Sequence, residues 1–227
     1  MQTPYWIEQN FDPAAAGSLK PRTPGVGKLD TVEFTPQMRR FQKRFRTERL
    51  ADRVLQVAFH KALTDDDRGM IEKAMFFFLA TVDGNGQPQC SYKGGPRGFV
   101  HIENDTTLVF PIYEGNGLYL SAGNVAEMGK VGLLFVDFEG QDRMRINGTA
   151  EIIDDHPAYN GVRAAQLAVR VKITDIHPNC PRNVHKMALV EQSRYTPKCE
   201  ADDVGKAPWG DGFADVLPDN MKPEGMK

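Results

Sequence analysis

Cysteine is scarce in this chain of 227 residues: Cys90, Cys180 and Cys199 are the only three. So sparse and odd a set does not build a disulfide framework, and a reduced, cytoplasmic protein is the expectation. Net charge is nearly absent too, at −2. No overall field draws the chain toward nucleic acid or an anionic membrane, and neither is expected as a partner. No apolar run approaches the length that spans a bilayer. The opening MQTPYWIEQNFDPAAAG has no basic segment ahead of an apolar one, so it is not expected to act as a secretory signal. No phosphate-loop or dinucleotide fingerprint follows a strand. His177, Cys180, His185 and Cys199 match no zinc-site spacing, and no metal is expected.

What is present is an ordinary globular composition, 41% hydrophobic and 26% charged, enough to bury a core. Three stretches are expected: an arm with a helical extension over 1–62, a main domain over 63–197, and a tail over 198–227. The first 35 residues are rich in Pro and Gly and read as an extended arm. From Met38 the pattern turns helical, with Phe41, Phe45, Leu50, Val54 and Val57 near helical spacing. Six Lys or Arg residues lie between Arg39 and Arg49. They are either a solvated helix face or a nucleic-acid or membrane face, and the solvated face is the expectation. Thr64 followed by Asp65, Asp66 and Asp67 marks a helix start, with its end near Lys73 or Ala74.

Strand patterns follow. MFFFLATV is a continuous apolar run, as for a strand buried on both faces. DGNG turns the chain back into QPQCSYKG, and GFVHI, TLVFPIY, VGLLFVDF, RMRINGTAEII and VRVKITDI continue the series. Short strands with tight turns predict a closed or partly closed antiparallel barrel. Helical pieces are expected at GNVAEMGK and from His156 through PAYNGVRAAQ. Cys90 is expected to pack as a small hydrophobe, and His60 and His101 to be structural or exposed.

Three places carry candidate chemistry. Ser91 and Lys93 alternate in a strand, so hydroxyl and ammonium share a face and can hold a phosphate. Gly94 and Gly95 follow, either to let a flat group approach the backbone or to close a bulge. Ser121 and Asn124 stand where a glycine-rich loop enters a helix, as an anion site or a simple cap. Arg143 and Arg145 share a strand face, as solvent-exposed decoration or as a clamp for a planar or anionic group.

FFFLATVDGNGQPQCSYKGGPRGF, LVFPIYEGNGLYLSAGNVAEMGKVGLLFVDF and RMRINGTAEI, with CPRNVHK near the end, together resemble the flavin-binding pyridoxamine 5′-phosphate oxidase-like proteins over roughly residues 64–197. The resemblance implies a mainly β (α+β) protein, an antiparallel split β-barrel of the FMN-binding type with peripheral helices. It implies a homodimer with FMN at the subunit interface and a small-molecule substrate. On the same basis Ser91, Tyr92, Lys93, Gly94 and Gly95 correspond to the strand along the flavin and its phosphate, and Pro111 and Ile112 to the strand passing the ring. Tyr119, Ser121, Gly123 and Asn124 correspond to the phosphate-binding helix start, Arg143 to a polar group near the ring, and Arg182 to a group approaching from the C-terminal side. The oxidase's basic phosphate-binding pair is replaced here by YLSAGN, and Trp209 matches no part of its terminal Trp and Arg signature. Pyridoxamine phosphate oxidation itself is therefore not expected. The implied activity is an FMN-dependent oxidoreductase acting on a small molecule or a nicotinamide nucleotide. The alternatives are a flavin or nucleotide carrier without turnover, and a split barrel binding heme or a deazaflavin.

Overall fold

A computed structural model describes residues 32–160, 162, 165–197, 209, 211–219 and 221–222. The expected N-terminal arm, Cys199 and most of the tail lie outside the described residues.

Three helices come first: α1 (Pro36–Arg44), α2 (Glu48–Ala58) and α3 (Asp65–Lys73). Thr35 caps α1, its hydroxyl accepting from Met38 N. The helical stretch divides at Arg46, whose φ of 56° no helix accommodates. The start of α3 is a reciprocal cap. Thr64 Oγ1 accepts from Asp67 N at 3.3 Å, and Asp67 Oδ2 accepts from Thr64 N at 2.9 Å. The same carboxylate, fully buried, meets His60 Nε2 at 2.7 Å. His60 exchanges both backbone hydrogen bonds with Ile176. One buried pair thus fastens the helical extension to the sheet.

Seven strands make one antiparallel sheet: β1 (Phe76–Val82), β2 (Pro88–Gly94), β3 (His101–Asn104), β4 (Thr107–Tyr113), β5 (Lys130–Asp137), β6 (Asp142–Ile153) and β7 (Ala165–Asn179). Their order is β2-β1-β5-β6-β7-β4-β3. Four inter-strand steps separate β1 from β4, about 19 Å in a flat sheet. Yet the rings of Phe77 on β1 and Phe110 on β4 lie 5.0 Å apart. The sheet therefore curls around its core and brings its concave face together, while its end strands β2 and β3 do not pair with each other. This is a split β-barrel, mainly β, with peripheral helices. Phe77, Leu79, Leu133, Phe135, Met144 and Ile146 fill the concave side and are fully buried.

Local chemistry explains most joints. Asp83 Oδ1 accepts from Asn85 N and Gln87 N, and Gly86 takes φ 83°, which closes the β1–β2 hairpin. The β6–β7 ladder shifts register between Asn147 and Gly148. A Cβ on Gly148 would stand 2.7 Å from Lys172 O, so the bulge requires glycine.

Four expectations are corrected. β1 is not buried on both faces: Phe77, Leu79 and Thr81 are buried, Phe76 and Phe78 half-buried, and Ala80 exposed. On its outer face Phe76 stacks against the rings of Tyr92 and Phe138. GFVHI becomes strand only from His101, because Phe99 and Val100 turn into the core. Of the helix expected from His156, residues 161, 163 and 164 lie outside the described residues, which show one 3-10 turn, Pro157–Tyr159, with β7 beginning at Ala165. There the Tyr159 hydroxyl is held between Phe99 O at 2.9 Å and Val109 O at 2.7 Å, an anchor that overrides local helix propensity. Cys90 is exposed on the edge strand rather than packed.

Burial pushes the Asp67 carboxyl up, but its hydrogen bonds from His60 and Thr64 outweigh that and hold its pKa below the usual carboxylate range. The pair's contribution is fully present above the unfolded value near 3.8 and is lost as pH falls through the lower folded value. Asp67→Ala, which strands a buried histidine, should cost about 3–5 kcal/mol. A urea midpoint unchanged at neutral pH would show that the pair contributes nothing.

Candidate functional site

The first turn of helix α4 (Leu120–Met128) faces strand β2, and the sequence explains how it is placed there. Asn124 Nδ2 donates to Thr81 Oγ1 at 3.0 Å, and both side chains are buried. Thr81 is the only polar residue in the run FFFLATV, and it serves as the anchor. Residues three apart on a helix share a face, so the bond that fixes Asn124 also points Ser121 at the sheet. Ser121 Oγ lies 3.0 Å from Ser91 Oγ and accepts from Lys93 Nζ at 3.2 Å. At the other end Gly84 N donates to Glu127 Oε2 at 3.2 Å, tying α4 to the β1–β2 turn.

Ser91 and Lys93 do share a face. They pair with Leu79 and Phe77, both buried, so they stand on the concave side at the rim where β2 ends the sheet. Among the described residues no carboxylate pairs with Lys93. Its ammonium has three donors, and one hydroxyl accounts for one of them. Burial lowers the Lys93 pKa from its usual value, because the charged form loses solvation there. The start of α4 adds donors of its own. Its N-cap residue Tyr119 has φ 49° and gives no side-chain cap, and no acidic residue lies in the first turn. The first amides of a helix have no partner within it. A half-buried cation, two hydroxyls and an uncapped helix start thus converge on one point, which is the chemistry that holds a phosphate.

Of the other expected residues, Tyr119, Gly123 and Asn124 belong to the start of α4, while Pro111, Ile112, Arg143 and Arg182 stand elsewhere in the fold. Tyr119 donates its hydroxyl to Gln166 Oε1 at 2.7 Å, which ties it to β7. Asn124 is occupied with Thr81. A Cβ on Gly123 would meet nothing within 4 Å, so that backbone faces open space. Pro111 and Ile112 are buried in β4 opposite Ala168 and Leu167. Arg143 lies beside Met144, which is fully buried in the core, so it points to the convex face. Its Nη2 donates to Cys180 O, and its Nε is buried without a partner. The clamp at Arg143 is thus turned on the protein's own backbone, two residues before the exposed Arg182. Arg145 is exposed.

Tyr92, Gly94 and Gly95 show a geometry that spacing does not reveal. Tyr92 points to the convex face and stacks on Phe76 with ring centroids 5.3 Å apart. A Cβ on Gly94 would stand 2.6 Å from Tyr92 Cε1, and one on Gly95 would stand 2.4 Å from Phe99 Cγ. The space that the two glycines leave is filled by this chain's own rings. They are bare so that Tyr92 and Phe99 can pack.

A profile of the family described as pyridoxamine 5′-phosphate oxidase matches residues 63–191. No curated protein matches the chain. Among solved structures, the chain is similar to HupZ of Group A Streptococcus, with 21% identity over 56% of this chain and 99% of that one and a TM-score of 0.44. It is also similar to an FMN-binding protein of Syntrophomonas wolfei, at 16% identity, 61% and 96% coverage and a TM-score of 0.39. A third is a Clostridium acetobutylicum protein related to general stress protein 26 and described as of the pyridoxinephosphate oxidase family, at 14% identity, 51% and 86% coverage and a TM-score of 0.39.

Because a Cβ on Gly95 would stand 2.4 Å from Phe99 Cγ, Gly95→Ala should destabilise the fold by about 1–3 kcal/mol. A urea midpoint equal to that of the parent would show that Phe99 repacks without strain. Asn124→Ala should leave Thr81 buried without its partner, at about 1–3 kcal/mol, and should loosen α4. Amide exchange in α4 is the readout, and unchanged protection there would rule out the anchoring role.

Proposed function

The chain belongs to the pyridoxamine 5′-phosphate oxidase family, and from that we propose that it binds FMN and works as a flavin-dependent oxidoreductase on a small molecule or a nicotinamide nucleotide. The observation that carries the reading is the half-buried Lys93 ammonium, held by Ser121 at 3.2 Å beside an uncapped helix start, with no carboxylate against it among the described residues. Such a cation is stabilised most by an anion. The phosphate of FMN would lie among Ser91, Lys93, Ser121 and the first amides of α4.

The flavin ring would not rest on Gly94 and Gly95, because Tyr92 and Phe99 already fill that space. Lys93 and Ser91 face the concave side and Arg143 the convex side of one sheet. The aromatic cluster of Phe76, Phe78 and Tyr92 left on the convex face supports a second copy of the chain as partner, and with it a homodimer with FMN between subunits. Bound flavin supplies the electron transfer. The protein binds it, orients it and excludes water. Residues 63–197 would form this FMN-binding domain.

Lys93→Ala should weaken FMN binding by about 1.5–3 kcal/mol, the worth of a charge-assisted hydrogen bond, without unfolding the protein. Titration of the apo variant with FMN gives the value, and an affinity equal to the parent's would refute the phosphate assignment. Phosphate binding needs the protonated amine. Since burial lowers the Lys93 pKa below 10.5, FMN affinity should fall as pH rises through that lowered value, and Lys93→Ala should abolish the dependence. Steady oxidation of a nicotinamide nucleotide by the FMN-loaded protein separates an oxidoreductase from a carrier, which would bind flavin without turnover.

A further inference from the structure

The helical hairpin of α1 and α2 precedes the residues 63–191 that match the family, and the function proposed above makes no use of it. Neither helix has a single buried residue. Met38, Phe41 and Phe45 are spaced by three and four, so they line one face of α1 and its exit, and they are 51%, 53% and 66% exposed. Leu50 and Val57 on α2 are 62% and 48% exposed. Arg39 Nη2 joins Asp52 Oδ1 at 2.7 Å and braces one helix against the other. Helices of nine and eleven residues are too short to persist in water on propensity alone. Exposed apolar side chains aligned along a helix face in this way form a surface that something covers.

Charge selects what covers it. Residues 36–58 hold seven Lys or Arg against two acidic residues, an excess of five in a chain whose net charge is −2. On α1, Arg39, Arg40, Lys43 and Arg44 fall on the side of the helix away from Met38 and Phe41, and the helix contains no acidic residue. The basic and apolar faces are therefore segregated. A protein groove would have to supply matching carboxylates around a narrow apolar stripe. An anionic bilayer supplies a dense layer of phosphates above hydrocarbon and needs no shape complementarity. Phenylalanine and leucine on one side with arginine and lysine on the other is the pattern of a helix lying in a membrane interface.

We propose that the α1–α2 hairpin docks the protein on anionic phospholipid surfaces, with Met38, Phe41, Phe45 and Leu50 entering the acyl boundary and the flanking Arg and Lys side chains meeting the headgroup phosphates. This attachment is peripheral, since no helix among the described residues is long and apolar enough to cross a bilayer. It departs from the expectation of a merely solvated basic face, because burial of the apolar residues against the barrel, which that expectation needed, does not occur.

The test is co-sedimentation of the full chain with vesicles of phosphatidylcholine alone and of phosphatidylcholine mixed with phosphatidylglycerol. The expected result is binding to the mixed vesicles, none to the neutral ones, and release in high salt. Phe41→Glu with Phe45→Glu should abolish binding. Arg40→Gln with Lys43→Gln should reduce it on the order of tenfold or more. FMN uptake, which uses none of these residues, should be unchanged in both variants and reports an intact fold. The proposal is overturned if the parent chain stays in solution with the mixed vesicles, or if the variants sediment as it does. Failure to bind vesicles together with a loss of dimer in Phe41→Glu/Phe45→Glu, read by light scattering, would assign the face to a second copy. Retention on a duplex oligonucleotide but not on vesicles would assign it to nucleic acid. Failure of FMN binding in the parent would refute the flavin reading and leave the vesicle result standing.

Discussion

The rings of Phe77 and Phe110 touch across a sheet in which three strands separate β1 from β4, and that contact obliges the sheet to roll up. Phe135 lies 5.2 Å from Phe77 on the neighbouring strand and Phe99 5.9 Å from it in a loop. The curl divides the molecule into a concave side packed with fully buried apolar side chains and a convex side that carries both polar residues and the rings of Phe76, Phe78 and Tyr92. Because side chains alternate along every strand, each residue's side is settled once the Phe77 row is settled. Lys93 opposite Phe77 and Ser91 opposite Leu79 must then face inward. They escape full burial only because β2 is the last strand.

That position sets the electrostatics of the site. An ammonium placed one strand further in would be too costly without a carboxylate, and one placed on the convex face would be an ordinary solvated lysine. At the rim it loses enough solvent to lower its pKa while the start of α4 stays within reach. The Asn124–Thr81 hydrogen bond decides the height of α4, and therefore whether Ser121 meets Lys93 at all. Asn124 is thus a buried bracket, and the hydroxyl three residues before it makes the contact with Lys93.

The convex face and the N-terminal hairpin follow another logic. Tyr92, Phe76 and Phe138 stack outside the barrel, Arg143 is fastened to the Cys180 carbonyl, and α1 and α2 show their apolar stripe outward. Nothing in the barrel core requires these features. They are surfaces that the fold leaves outside its core.

The strand series, the β1–β2 turn and the start of α3 were legible in the sequence, because alternation, Asp-Gly-Asn-Gly and Thr followed by acidic residues act over a few residues. The pairing of Ser91 with Lys93 was legible for the same reason. The segment after His156 was not, since Tyr159 is captured by carbonyls of Phe99 and Val109, far away in the chain. The purpose of Gly94 and Gly95 was equally hidden, as a vacant Cβ position does not say whether a ligand or the protein's own ring occupies it. The sequence by itself determined which residues could share a strand face and where the chain must turn, both consequences of local backbone geometry. Only the tertiary structure decided which face became the inside, which hydroxyl reached the lysine and which apolar stripe stayed in solvent, because those depend on how a sheet of fixed twist closes over side chains distant in sequence.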